Sequence, residues 1–284
     1  MNVLKCQNVC KSYKNFSMEN VSFELPMGYV MGFIGENGAG KSTMIKMMLD
    51  LVRPSSGKIE VFEKDSIKNS KEIKEEIGVI LYTVGFPSMF NTKDINNMMK
   101  RAYKNWNEST YWDYIKQFQL PEKKKYKEFS MGMKKKLAIA AALSHNPKLL
   151  ILDEVTAGLD PIVRDEILDI FREFVSDGQH SIFISSHIIS DLEKICDYVT
   201  FLHKGKLIFS MEKESLFDTY CMIRCAEEDV EAIPKSAICG IHKSGYGAEV
   251  LVKRKDVPFG FDSEPANIEE IMLFLTKHNI GEKI

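Results

Sequence analysis

The chain has 284 residues, 44% hydrophobic and 27% charged, with a net charge of −2. That is the balance of a globular protein with mass for one large domain, or one domain plus a small extra one. The near-neutral charge gives no bulk attraction to nucleic acid. No apolar run approaches a membrane span, and Met1-Asn2-Val3-Leu4-Lys5-Cys6 lacks the basic-then-apolar layout of a secretion signal.

In chain order, residues 3–9 and 21–25 read as strands. Pro26-Met27-Gly28 turns into a short buried strand over 29–34. Next comes Gly35-Glu36-Asn37-Gly38-Ala39-Gly40-Lys41-Ser42-Thr43, which fits the phosphate-binding pattern G-x-x-x-x-G-K-[ST]. Glycines at 35, 38 and 40 allow backbone angles that a side chain forbids. The loop N–H groups then converge on an anion, and the helix start adds unpaired donors and partial positive charge. Lys41 would reach the β- and γ-phosphates, and Ser42 would place its hydroxyl on Mg2+. The helix spans 40–52 and ends at the breaker cluster 53–57; strands follow at 58–62 and 77–81.

From about Thr92 the texture changes. Residues 92–104, 109–120 and 131–144 read as helices with no strand between them. Ser130 is a good N-cap for the third. Its Lys134, Lys135 and Lys136 read as a solvated face. Strands alternating with helices then resume: a strand at 148–152, and a helix capped by Asp160 with Pro161 at its first position. The apolar stripe of that helix is Val163, Ile167, Ile170, Phe171 and Phe174. A strand at 181–185, a helix at 191–196, and a hairpin of 198–203 with 207–211 turning at Lys204-Gly205 complete the pattern. The alternation implies a mainly parallel sheet. The tail holds strand-like segments at 221–225, 238–242 and 249–253 and an amphipathic helix at 267–278, read as a small packing or dimerisation appendage. Cys6, Cys10, Cys196, Cys221, Cys225 and Cys239 form no C-x-x-C pair and read as reduced thiols of a cytosolic protein.

The strand at 148–152 ends in Asp153-Glu154. In phosphate-loop enzymes an Asp there holds Mg2+ with the loop hydroxyl, and an adjacent Glu can take a proton from an attacking water. From this point the sequence resembles the ATP-binding cassette (ABC) transporter ATPases over roughly residues 1–215. Phe129-Ser130-Met131-Gly132-Met133 sits where that family has its L-S-G-G-Q signature. Ala157-Gly158-Leu159-Asp160 looks like its D-loop, and His187 like its switch histidine. Tyr13 reads either as the aromatic that stacks on adenine or as a packing aromatic. Three departures stand out: Tyr82 where the family has Gln, followed by Thr83; Met131 and Met133 in the signature; and Val155 where the family has Pro.

The resemblance implies an α/β P-loop NTPase fold, an ABC-ATPase core with a helical subdomain at about 88–146, plus a small α+β C-terminal extension. The ATPase domain would be 1–218 and the accessory domain 219–284. Two cassettes would sandwich two ATP molecules, each between Lys41 of one copy and Ser130–Gly132 of the other. Glu154 would be the base, His187 would steady the γ-phosphate and the water, and Ser42 with Asp153 would hold Mg2+. The implied partners are a second ATPase subunit, in a homo- or heterodimer, and a separate membrane permease. The implied place is the inner face of the cell membrane, and the implied work is export of a peptide, antibiotic or ion. The alternative is a non-transport ABC ATPase acting on ribosomes or DNA, a class that usually has two cassettes or a coiled-coil insertion.

Overall fold

The computed structural model describes residues 1–82 and 85–279, with side chains through Thr276. The chain divides into two units, Met1–Leu207 and Ile208–Ile284. The first holds β1 (Asn2–Tyr13), β2 (Phe16–Pro26), β3 (Val30–Ile34), α1 (Lys41–Met48), β4 (Ser56–Val61), β5 (Lys64–Asp65), α2 (Ser70–Glu75) and β6 (Ile77–Ile80). Three helices follow, α3 (Thr92–Ala102), α4 (Glu108–Gln117) and α5 (Met131–Leu143). Then come β7 (Leu149–Asp153), α6 (Pro161–Val175), β8 (Ser181–Ser185), α7 (Ile189–Ile195), β9 (Tyr198–His203) and the start of β10 (Lys206–Glu212).

Among the described residues the large sheet runs β5-β4-β1-β2-β10-β9-β3-β8-β7-β6. The expectation is of a mainly parallel sheet, and the strands divide into a parallel and an antiparallel part. β9-β3-β8-β7-β6 is parallel, whereas β1 pairs antiparallel with β2 and β4. The cause is local: a two-residue turn joins β1 to β2, and so short a link permits only an antiparallel pair. β3, β7 and β8 are buried at every position, the continuous apolar pattern of parallel strands covered on both faces. Phe33 packs against Phe23 and Phe183, ring centroids 5.6 and 5.1 Å away, and those two rings stack on each other at 6.0 Å, contacts worth about 0.5–1.5 kcal/mol each beyond their buried area.

Helix ends follow their caps. Asn91 and Asp94 form a reciprocal capping box at the start of α3. α1 stops at Met48 rather than 52, because Asp50 takes φ 52° and Leu51 N–H closes on Lys46 O at 2.9 Å, a left-handed C-terminal stop. Asp160 caps α6 through Val163 N–H at 3.1 Å. The stripe of α6 is rotated from the expected one: Ile167, Leu168 and Phe171 are buried, while Val163, Ile170 and Phe174 are half-buried.

The second unit carries the rest of β10, then α8 (Lys213–Thr219), β11 (Tyr220–Cys225), β12 (Ile238–Ser244), β13 (Gly247–Lys253), β14 (Glu264–Pro265) and α9 (Ile268–Asn279). Its sheet runs β12-β13-β11-β14. Cys221, Ile223, Val250 and Val252 fill one face. α9 lies against β12, so close that a Cβ on Gly240 would meet Phe274 O at 2.7 Å. Arg224 ties this unit's edge together through Glu249, Glu264 and Glu270. No described helix is long and apolar enough to cross a membrane.

Candidate functional site

The parallel strands deliver three loops to one edge. β8 lies between β3 and β7, with Ser185 level with both Phe33 and Asp153. The loop after β3, the acids ending β7 and the residues after β8 therefore meet at the carboxyl end of the sheet, where such folds bind ligands. There they line a cavity of about 780 Å³, within the range of small-ligand sites.

The glycine loop takes shape for two different physical reasons. Gly40 has φ 112°, a left-handed angle, and a Cβ there would stand 2.7 Å from the Phe16 ring. Gly35 has no positive φ; it is required by space, since a Cβ would meet Leu202 O at 2.4 Å. This corrects the expectation that angle alone demands it. Lys41 is buried, and its ammonium donates to Gly35 O at 2.5 Å and Glu36 O at 3.4 Å. Those bonds orient the chain under the loop with Glu154 Oε1 3.8 Å away.

The two acids are held differently. Asp153 is 6% exposed. Its Oδ2 accepts from Ser42 Oγ at 3.0 Å and its Oδ1 from Ser185 Oγ at 2.6 Å. The Ser42–Asp153 pair puts two hard oxygens beside the loop, a donor set that suits Mg2+, which takes few protein ligands together with substrate phosphates. Glu154 has φ 52°, a left-handed conformation that costs a non-glycine residue about 1–2 kcal/mol. Its N–H donates to Ser185 O at 3.0 Å. Its Oε2 accepts from His187 N–H at 3.3 Å and lies 2.5 Å from His187 Nδ1. Strain of this kind collects at functional positions.

Of the residues expected from sequence, Tyr13, Glu36, Asn37, Gly38, Gly40, Lys41, Ser42, Thr43, Asp153, Glu154 and His187 line the cavity. Gly35 and Ala39 are not among its lining residues; both are buried in the loop. Tyr13 is half-exposed rather than packed in the core, with Lys11 Nζ 5.1 Å from its ring centroid. Ser130 and Gly132 are not among the lining residues; Ser130 Oγ caps α5 by accepting from Met133 N–H at 3.3 Å. Tyr82 lines the cavity and is exposed; Thr83 lies outside the described residues.

Three contributors escaped the sequence reading. Asn15 and Phe16 line the cavity, and Ser185 anchors Asp153; Ala157, from the expected D-loop, lines it as well. Ser185 was visible only as a polar residue at the end of a buried strand. The lysine run also departs from expectation. Lys134 and Lys136 are half-buried, with partners in Tyr126 and Glu166. Lys135 is buried and donates to Glu154 O at 3.2 Å. None of the six cysteines forms a disulfide; Cys6, Cys196 and Cys221 are buried and the other three half-buried.

Residues 18–157 match the ABC transporter family model. The chain is 39% identical over 215 residues to the bacitracin transport ATP-binding protein BcrA of Bacillus licheniformis, covering 72% of this chain and 68% of that one. It is 40% identical over 217 residues to the lantibiotic transport ATP-binding protein SrtF of Streptococcus pyogenes, covering 75% and 91%. Among solved structures, an ATP-binding subunit of an ABC transporter superposes with a TM-score of 0.69 at 26% identity, covering 75% of this chain and 91% of that one. With a phosphate loop, two acids and a histidine gathered at one sheet edge, and with identity at this level over most of two relatives, the chain belongs to the ABC transporter ATP-binding protein family.

Proposed function

We propose that this chain is the ATP-hydrolysing subunit of a membrane exporter, with residues 1–218 as its ATPase domain and 219–284 as an accessory domain. Bacitracin and lantibiotic transport in the relatives' names points to an antibiotic or peptide as the exported class. The observation that carries the reading is the convergence of Lys41, Ser42, Asp153, Glu154 and His187 on one cavity.

In this reading the loop N–H groups and Lys41 bind the triphosphate, and Tyr13 stacks on the base. Ser42 and Asp153 would hold Mg2+, which would supply neutralisation of the phosphate charge. Glu154 accepts the proton of the attacking water. Its carboxylate is pre-aimed by His187 Nδ1 at 2.5 Å, and the other ring nitrogen of His187 would be available to steady the γ-phosphate. Ser130 and Gly132, at the start of α5, close on the ATP of a second copy. A helix N-terminus facing phosphate supports that assignment. A separate permease supplies the membrane spans and holds the subunit at the inner membrane face, and no nucleic acid takes part.

The test is ATP-dependent assembly. A Glu154→Gln protein with ATP is expected to elute as a dimer by light scattering, and Ser130→Arg in that background as a monomer that still binds nucleotide. A dimer that persists with Arg at position 130 overturns the sandwich.

A further inference from the structure

Lys135 lies on the second turn of α5 and is 7% exposed. Lysine is rarely buried so far without a reason. Burial pushes its ammonium below the ordinary lysine range, and the nearby carboxylates of Asp153 and Glu154 oppose that shift. Two contacts define its place. Its Nζ donates to the backbone carbonyl of Glu154 at 3.2 Å. It stands 5.6 Å from the centroid of the Tyr82 ring, a cation–π distance. Tyr82, in turn, borders the cavity.

What this does to Glu154 follows from the backbone. Glu154 sits at φ 52°. Its N–H is fixed by Ser185 O at 3.0 Å, which restrains rotation on the amide side. Its carbonyl accepts from Lys135 and, at 3.3 Å, from Ala157 N–H, which restrains rotation on the other side. With both peptide groups pinned, the Cα–Cβ bond has one direction, and it aims the carboxylate at Lys41 and His187. An unfavourable backbone angle persists only where the surroundings over-determine it. Here one restraint comes from β8 and the other from α5.

We propose that Lys135 is a positioning residue for Glu154: its ammonium, capped by the Tyr82 ring, clamps the Glu154 carbonyl and so fixes the aim of the carboxylate. This rests on the reading of Glu154 as the base. It also gives Tyr82, which stands where a Gln was expected, a role of its own as the wall that shields the ammonium. The helix that offers Ser130 and Gly132 to a second copy thus also touches the base of its own site.

The experiment is steady-state ATP turnover of the full chain carrying Lys135→Met, with Lys135→Gln as a second variant that keeps a donor without the charge. Lys135→Met is expected to lower kcat about tenfold with KM for ATP within twofold, and Lys135→Gln to fall between it and wild type. In a Glu154→Gln background, Lys135→Met is expected to cost nothing further, because the group it positions is gone. A Lys135→Met protein within twofold of wild-type kcat overturns the proposal. So does a loss expressed as KM, or a full tenfold additional loss in the Glu154→Gln background. If Lys135→Met does not fold, Lys135→Gln decides by the same criteria. Failure of the underlying reading is separate: a Glu154→Gln protein with near-normal turnover removes the base itself, whereas an inactive Glu154→Gln beside a fully active Lys135→Met removes only the clamp.

Discussion

Glu154→Gln isolates the charge of the proposed base from its shape. The amide is nearly isosteric with the carboxylate and can still accept from His187 N–H, now at 3.3 Å from Oε2. What it cannot do is take a proton from water. General-base catalysis contributes roughly 10²–10⁴-fold. At 1.36 kcal/mol per decade that is about 2.7–5.4 kcal/mol of barrier. Nucleotide binding moves the other way or not at all. Glu154 Oε1 stands 3.8 Å from Lys41 Nζ, a gross attraction of order 4 kcal/mol at an effective dielectric constant of about 20. Removing that charge frees Lys41 for phosphate and spares the triphosphate a like-charged neighbour. The expected result is therefore kcat down at least a hundredfold with ATP affinity equal or tighter. Phosphate release under steady state gives the first number, and titration with a fluorescent ATP analogue the second. A kcat within threefold of wild type would refute the assignment, as would a loss of affinity that accounts for the whole defect.

Lys41→Ala removes the cation held under the loop by Gly35 O and is expected to weaken ATP binding at least tenfold by the same titration; unchanged affinity would remove the loop's central role. Ser185→Ala leaves Asp153 Oδ1 without its hydroxyl donor. Hydrogen bonds to charged groups are worth about 1.5–3 kcal/mol, so it should lower the urea midpoint and raise the Mg2+ needed for half-maximal turnover; no change in either would count against Ser185 as the anchor of Asp153. His145 titrates with a definite sign. Burial lowers its pKa from 6.5, against the opposing bond of Nε2 with Ile77 O. The unfolded chain then binds that proton more readily, so the contribution is complete above about pH 6.5 and declines as pH falls toward the lower folded value, by at most about 1.4 kcal/mol per pH unit. His145→Gln should lack that decline between pH 7 and 5, and parallel stability curves for the two proteins would contradict it.

Much of this site was legible because its chemistry is local in sequence. The loop at 35–43 and the pair Asp153-Glu154 each carry their meaning within a few residues. Ser185 does not: its value comes from standing level with Asp153 across a parallel pair, and register is not written in either strand alone. The antiparallel half of the sheet was under-read for a related reason. Alternating apolar residues at 1–26 announce strands, but only the two-residue link between them decides their direction.

Lys135 was missed through a choice of period. Three adjacent lysines look like a charged face, yet residues 134–136 fan through about 200° of a helix whose other positions include a packed core. They cannot all face water unless the buried stripe is narrow. Here it is broad: Leu137, Ile139, Ala140, Ala141, Ala142 and Leu143 are all buried. Counting back from that stripe, Lys135, Ile139 and Ala142 fall at i, i+4 and i+7, one face of one helix. The middle lysine therefore belongs to the inward row by the same spacing that makes its neighbours core. An ammonium forced inward needs an acceptor, since burying it unpaired costs far more than a hydrogen bond returns. The nearest strand end in this fold offers one, the carbonyl of Glu154. In the proposed clamp the packing of α5 and the aim of the Glu154 carboxylate are thus two consequences of one helical period, and a change in either is expected to register in the other.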